Sequence, residues 1–156
     1  MSGALTLEPL LHVKVEALEP LSAGAVPGGE VRVVPFAAGE FEGRGALDLR
    51  GKLLPGGTDW QRVRSDGVVE IRAHYLLESD RGERIEVISE GMRHAPPGVL
   101  ERIARGEPVP ADAYYFRTAI RFFTAAPRLD ALNRVLAISV GIRTQHGVEL
   151  EIYGVP

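Results

Sequence analysis

Apolar and polar residues alternate through most of this chain. Leu11, Val13 and Val15 are separated by His12, Lys14 and Glu16, a period of two that predicts a strand with one buried face. Val31 to Phe36 predicts a second strand, and Pro35 within it marks an edge or a bend, because proline donates no ladder hydrogen bond. Between them, Pro20 to Gly29 is rich in small and turn-forming residues and reads as an irregular connection. From Gly39 to Leu54, glycines at 39, 43, 45 and 51 stand between Phe41, Leu47 and Leu49. A helix tolerates that spacing poorly, whereas a curved strand pair uses glycines at its corners.

Further along, Pro55-Gly56-Gly57 is a turn, Asp59 to Arg64 a short strand, and Ser65-Asp66-Gly67 a hairpin turn. Val68 to Glu78 and Glu83 to His94 predict two long strands joined across Ser79-Asp80-Arg81-Gly82. In the first, Val69, Ile71, Ala73, Tyr75 and Leu77 share one face, and Glu70, Arg72, His74 and Leu76 the other. Pro97 to Gly106 is the one predicted helix, with proline in the first turn, Val99, Leu100 and Ile103 on one side, and glycine to stop it. Ala113 to Thr124 is a strand rich in Tyr and Phe, Leu129 to Arg134 a helical turn, and Val135 to Thr144 with Val148 to Val155 a final hairpin. The pattern predicts an all-β protein, an antiparallel closed β-barrel of about eight to ten strands with one short helix, as a single domain over residues 1–156. No βαβ alternation supports a parallel sheet.

Composition narrows the function classes. A chain of 156 residues with 45% hydrophobic and 25% charged residues is long enough to bury a real core. The absence of cysteine excludes disulfides, thiolate metal sites and a cysteine nucleophile, and fits a reducing compartment. The first residues, Met1-Ser-Gly-Ala-Leu, form no basic leader with a long apolar run, so a cytoplasmic location is expected, with no membrane partner. A net charge of −3 gives no long-range attraction to nucleic acid. Only Lys14 and Lys52 among the 18 basic residues are not arginine. Codon bias accounts for this simply; alternatively, some guanidinium forks hold a carboxylate or a polarised oxygen.

Familiar catalytic signatures fail. Gly45 to Lys52 is one residue too long for a phosphate loop, and Leu53 stands where Ser or Thr belongs. Ser89 lacks the preceding glycine of a nucleophile elbow. His12, His74, His94 and His146 are scattered without ligand spacing, so neither metal nor cofactor is expected. The remaining candidates each carry two readings. Asp59, beside the only tryptophan and just after a glycine turn, is a turn cap beside a core Trp60, or an acid–base group at a barrel mouth. Tyr115, Arg117, Ala119 and Arg121 share one face of their strand, opposite Phe116, Thr118, Ile120 and Phe122. They line a solvated outer wall or, if the Phe face packs on neighbouring elements, place Tyr115 and Arg117 in a cavity. His74 is a satisfied structural group or a proton shuttle. Arg93 and Arg143 are surface arginines near glycines or ligand contacts, and Asn133 caps a turn most simply.

Taken in order, Gly56-Gly57-Thr58-Asp59-Trp60, Asp66-Gly67, His74-Tyr75, Glu90-Gly91-Met92-Arg93, Tyr115-Phe116-Arg117-Thr118, Leu132-Asn133-Arg134 and Gly141-Ile142-Arg143 span nearly the whole chain. That series resembles the family known as domain of unknown function 3237. The resemblance implies a β-barrel related to the allene oxide cyclase type, with a central cavity, self-association into a homo-oligomer and no established activity. It places the family's recurrent polar positions at Asp59, Arg93, Tyr115, Arg117, Asn133 and Arg143. Where an arginine is expected before Tyr75, this chain has His74, which would add a titrating group. The resulting expectation is a lumen for a small hydrophobic carbonyl or carboxylate compound. Asp59 or His74 would move a proton, Tyr115 and Arg117 would steady negative charge, and Trp60, Tyr75, Arg93, Asn133 and Arg143 would contact the ligand. An isomerase, cyclase or lyase needing no cofactor, a carrier or sensor, and a packed structural barrel acting through oligomer contacts all fit this outline.

Overall fold

The computed structural model describes residues 3–156. In chain order the strands are β1 (Glu8–Ala17), β2 (Leu21–Val26), β3 (Gly29–Gly43), β4 (Arg50–Leu53), β5 (Thr58–Val63), β6 (Val69–Ser79), β7 (Arg84–His94), β8 (Tyr115–Thr124), β9 (Leu136–Arg143) and β10 (Gly147–Val155). A helix, α1 (Pro97–Ala104), and two 3₁₀ segments, Ala111–Ala113 and Pro127–Arg134, occupy the connections.

The strands join antiparallel around a closed ring with eight positions. Going round, β1 is followed by β10, β9, β8, β7 and β6; β5 and β4 then share one position, and β3 returns to β1. Closure removes the free edges that an open sheet would expose. The hairpins fix the register: β6 and β7 pair from Glu78↔Arg84 to Val69↔Arg93, and β9 and β10 from Arg143↔Val148 to Leu136↔Val155.

Two departures from the sequence reading concern β2 and β3. Pro20 to Gly29 is not irregular: Leu21–Val26 pairs along β3, from Leu21↔Val33 to Val26↔Gly29. Every residue of β2 is exposed, so nothing selects an alternation of apolar and polar side chains, and the periodic signal is missing. Val31 to Phe36 lies in the first half of one 15-residue strand that continues through Pro35. Proline fits there because β2 ends its pairing at Val33 and β1 begins at Phe36, leaving a gap on that edge. The Pro35 carbonyl still accepts from the Leu18 N–H at 2.9 Å, and Phe36 N–H turns to the opposite edge, to Gly57 O at 3.0 Å. Farther along β3, a Cβ on Gly39 would stand 2.5 Å from the Lys14 carbonyl oxygen, so glycine there permits the close approach of β3 to β1.

The two ends of the barrel are closed by the connections. At one end, Leu129 and Leu132 of the Pro127–Arg134 segment are buried beneath Leu11, Phe41, Leu77, Ile85 and Phe122. At the other, α1 spans the gap between β7 and β8, burying Ile103 and stopping before Gly106 at φ +73°. These are called below the 3₁₀ end and the α1 end.

Candidate functional site

Which side chains face the lumen follows from strand parity. On β6, the face of Val69, Ile71, Ala73, Tyr75 and Leu77 is inward, as the alternation predicts. On β8, the buried set is Phe116, Thr118, Ile120 and Phe122. Tyr115 and Arg117 therefore point outward, which overturns the expectation that they share a cavity: Tyr115 is 43% exposed and stacks on His94 at 4.8 Å, with the Arg117 guanidinium 5.4 Å from its ring. Among the described residues no second layer covers the outer wall of β8, so its uncharged aromatic face has only the lumen in which to bury itself.

Three other candidates move for the same reason. His74 stands on the outer face of β6, largely exposed, with Nε2 2.8 Å from Glu86 Oε2. Trp60, adjacent to Asp59 and hence opposite in parity, is 47% exposed. Asn133 caps the end of β8, accepting from Thr124 N–H at 2.8 Å and donating to Thr124 O at 2.9 Å. Its amide is thus fully used in holding the 3₁₀ end.

What does converge is a polar set at the α1 end. Asp59 is buried on the inward face of β5, and its two oxygens accept from Gln61 Nε2 at 2.7 Å and from the Arg72 backbone N–H at 3.1 Å. Gln61 Oε1 in turn accepts from Arg32 Nε at 2.7 Å. The relay has one direction, from guanidinium through amide to carboxylate. Burial pushes the Asp59 carboxyl up from its ordinary value, against the hydrogen bonds from Gln61 and Arg72 and the charges of Arg93 and Arg32.

Arg93 lies two strands away on β7 and is only 4% exposed, and its Nε has no hydrogen-bond partner. Its guanidinium rests 5.7 Å from the centre of the Phe116 ring. That ring occupies the place where a Cβ at position 141 would lie, 2.7 Å away, so Gly141 seats Phe116 and Phe116 supports Arg93. Burial pushes the Arg93 guanidinium down to about 10, and the charges of Arg143 and Arg32 act in the same direction. Arg143, on the same side of β9 as Gly141, keeps solvent access but is surrounded by enough protein to be lowered as well, first by burial and then by Arg32. Its backbone N–H donates to Tyr114 Oη at 2.7 Å, which leaves the phenol O–H free to donate.

Tyr114 and Arg143 line a cavity of about 320 Å³ at this end, together with Ile103, Val109, Gln145 and Glu107, whose carboxylate is held by Arg105 and Arg102; Asp59, Gln61, Arg32 and Arg93 lie outside this lining. A larger groove of about 470 Å³ lies against β1 and β3 near His146, outside the arginine cluster. Deeper in the lumen, Ser89 Oγ donates to Thr118 Oγ1 at 2.8 Å, and Thr118 Oγ1 meets Ser139 Oγ at 2.6 Å, a hydroxyl chain across three adjacent strands. Tyr75 is also inward, with a buried Oη that has no partner and is held strongly neutral by burial. Among the described residues no group of three or more His, Asp or Glu side chains is placed to hold a metal. Among the described residues no helix is long and apolar enough to cross a membrane.

Of the expected residues, Asp59, Tyr75 and Arg93 thus face inward, Arg143 stands exposed at the mouth on the inward-facing side of β9, and Trp60, His74, Tyr115, Arg117 and Asn133 do not serve the lumen. Arg32, Gln61, Tyr114 and the hydroxyl chain were missed. Tyr114 follows from parity with Phe116 once the β8 face is assigned. Arg32 is hidden because Val31, Val33 and Val34 put apolar residues on both faces of β3.

Comparison with known proteins agrees with this architecture. The model of the family described as "Protein of unknown function (DUF3237)" matches residues 5–155. The UPF0311 protein RPA1785 of Rhodopseudomonas palustris is 34% identical over 155 residues, 99% of each chain. Its crystal structure superposes with a TM-score of 0.91 at 31% identity, covering 100% of both chains. A beta-barrel like protein from Acinetobacter baumannii gives a TM-score of 0.84 at 32% identity, covering 100% of this chain and 99% of that one. An enzyme from Penicillium herquei shares the fold at a TM-score of 0.74 and 17% identity, covering 100% of this chain and 98% of its own. The chain belongs to the DUF3237 family.

Proposed function

We propose that the α1 end of the barrel binds a small carbonyl or carboxylate compound and moves a proton on it without a cofactor, as an isomerase, cyclase or lyase would. One observation carries the reading: Arg93 is buried, cationic and unpaired at Nε. A buried cation without a partner is unfavourable for the empty protein and is offset when an anionic oxygen arrives. The apolar surroundings of Phe116 and Ile71 suit a ligand with a small hydrocarbon body.

In the proposed step, a C–H proton beside the ligand's carbonyl passes to the Asp59 carboxylate. The electron pair left behind forms the enolate, whose oxygen Arg93 stabilises, and the proton then returns to a different position or to the leaving group. The raised affinity of Asp59 for a proton suits a base of this kind. Arg32 and Gln61 orient the carboxylate. The contrary feature is that both Asp59 oxygens already accept hydrogen bonds, which favours a carrier that binds the same molecule without turnover.

The test is proton exchange. Pyruvate, acetoacetate and levulinate are incubated with the protein in deuterium oxide, and loss of the proton signal beside the carbonyl is followed by magnetic resonance. Exchange by the native protein that is abolished in Asp59→Asn supports the enzyme. Binding without exchange supports the carrier, and no binding of any probe overturns the site.

A further inference from the structure

The three arginines of the α1 end do not act at one point. Arg32 is tethered through Gln61 to Asp59. Arg93 stands in the row of Val69 and Phe116, seated on the Phe116 ring. Arg143 lies two residues beyond Gly141 on β9, nearer the mouth, and lines the 320 Å³ cavity beside the Tyr114 phenol. On the surface, Arg44, Arg64, Arg84, Arg128 and Arg134 each reach a carboxylate within 4.0 Å, while Arg62, Arg72, Arg117 and Arg121 stand on the outward faces of their strands, where water solvates a charge that has no ion pair. Among the described residues, Arg32, Arg93 and Arg143 form no such pair, and Asp59 is the single buried carboxylate of the cluster. Three positive charges against one leave two uncompensated, at different depths.

Resting on the anion-binding reading above, we infer that the ligand carries two separated negative groups, in its simplest form a short dicarboxylate. The inner carboxylate meets Arg93, with Arg32 behind it. The outer one meets the Arg143 guanidinium and the free O–H of Tyr114 at the mouth. A ligand with one charge would leave the repulsion between Arg143 and the inner arginines in place, whereas a diacid removes it at both depths. The two-point hold also explains why Arg143 combines a surrounding of protein with solvent access: a group at the mouth has to admit the ligand.

Isothermal titration of the full chain at low ionic strength separates the cases. The probes are glutarate and adipate, the matched monoacids butyrate and valerate, and inorganic phosphate. We expect the better diacid to bind at least about tenfold more tightly than the best monoacid, the effect of one added charge-assisted contact. In Arg143→Leu, whose site is open to solvent, the diacid-to-monoacid ratio should collapse towards one. In Arg93→Met both classes should weaken, and thermal melting of each variant establishes that it is folded. Equal affinity for diacids and monoacids in the native protein would overturn the two-group inference while leaving the anion site standing. So would a diacid preference that survives Arg143→Leu. Phosphate binding more tightly than either diacid would place both charges at one point and overturn it too. If no probe binds the native protein, the anion site itself fails, and this inference with it.

Discussion

At the 3₁₀ end, Leu11, Phe41, Leu77, Ile85 and Phe122 fill the lumen, each no more than 3% exposed, and Leu129 and Leu132 complete the seal. Towards the α1 end the wall presents Asp59, Gln61, Arg93 and the Ser89–Thr118–Ser139 chain, and Arg93 Nε lacks a partner, as does Tyr75 Oη farther in, on the row of Val87 and Phe122. Seven of the eight wall positions are the same strands at both ends, and β4 gives way to β5 at the eighth; the alternation is the same throughout, so the contrast lies in which side chains the strands turn inward. Close packing of apolar groups stabilises a barrel, while unpaired buried polar groups destabilise it. An end that holds a buried cation without a partner is organised for something other than stability.

The contrast is broken most forcefully from the packed end. Phe122→Ala removes a ring that is 1% exposed from a lumen with no ligand to fill the space, and should destabilise the fold by about 3–5 kcal/mol. Urea unfolding measures it. A loss under about 1 kcal/mol would mean that the 3₁₀ end already contains free volume, and the two ends would no longer differ in kind.

Arg93→Met is the matching change at the polar end, and its sign should be opposite. A flexible apolar chain of similar length keeps the contact with Phe116 and removes the unpaired cation, so stability should rise by about 1–3 kcal/mol while ligand affinity falls. A loss of stability in the ligand-free protein would show that Arg93 serves the fold. Tyr75→Phe sharpens the same point: deleting an oxygen that has no partner should raise stability by about 1 kcal/mol in the absence of ligand.

Much of this division was legible in the alternation of residues. The inward face of β6 is apolar from Val69 to Leu77, and its outward face is charged, so parity alone settles it. The β8 strand was harder, because Tyr115 and Phe116 are both aromatic and both faces looked able to pack. The deciding fact is global: among the described residues nothing forms an outer layer over β8, so the arginine-bearing face must be the solvated one. β2 left no periodic trace because all of it is exposed, and Arg32 was masked by valines on either side. The direction of the Arg32–Gln61–Asp59 relay spans β3 and β5, and contacts between strands are beyond what spacing along one chain reveals.

The two ends also respond oppositely to pH. Glu83, held by Arg128 and Ser79 at the 3₁₀ end, is drawn down to about 2. A carboxyl whose folded value lies below its unfolded one contributes stability above the usual carboxylate range and loses it as pH falls towards that folded value. Asp59, raised by burial, has the reverse sign: its contribution is present in acid and lost as pH rises through its folded value. Glu83→Gln should therefore destabilise the protein at neutral pH by at most about 1 kcal/mol, because the pair faces solvent. The difference from the native chain should vanish near pH 2, as followed by thermal melting across pH. A difference that persists in acid would assign the effect to lost packing around Arg128 instead of to charge.

The smallest effects belong to the outer wall, and they test the assignment of faces directly. His74→Gln, Tyr115→Ser and Arg117→Ala each change a group that sequence reasoning placed in the lumen and the barrel places outside. Exposed contacts of this kind are worth little, so each variant should stay within about 0.5 kcal/mol of the native stability. Affinity for the anionic probes should be unchanged in all three. Calorimetry on Arg117→Ala is the most informative, because Arg117 and Arg93 carry the same charge and lie one strand apart, near Met92↔Arg117 and Arg93↔Phe116 in the ladder. If charge near the barrel were enough to attract the ligand, both would matter; if inward direction decides, only Arg93 will. A loss of affinity in Arg117→Ala comparable to that in Arg93→Met would move the binding surface to the outside of β7 and β8 and make the polar lumen a structural peculiarity of the fold.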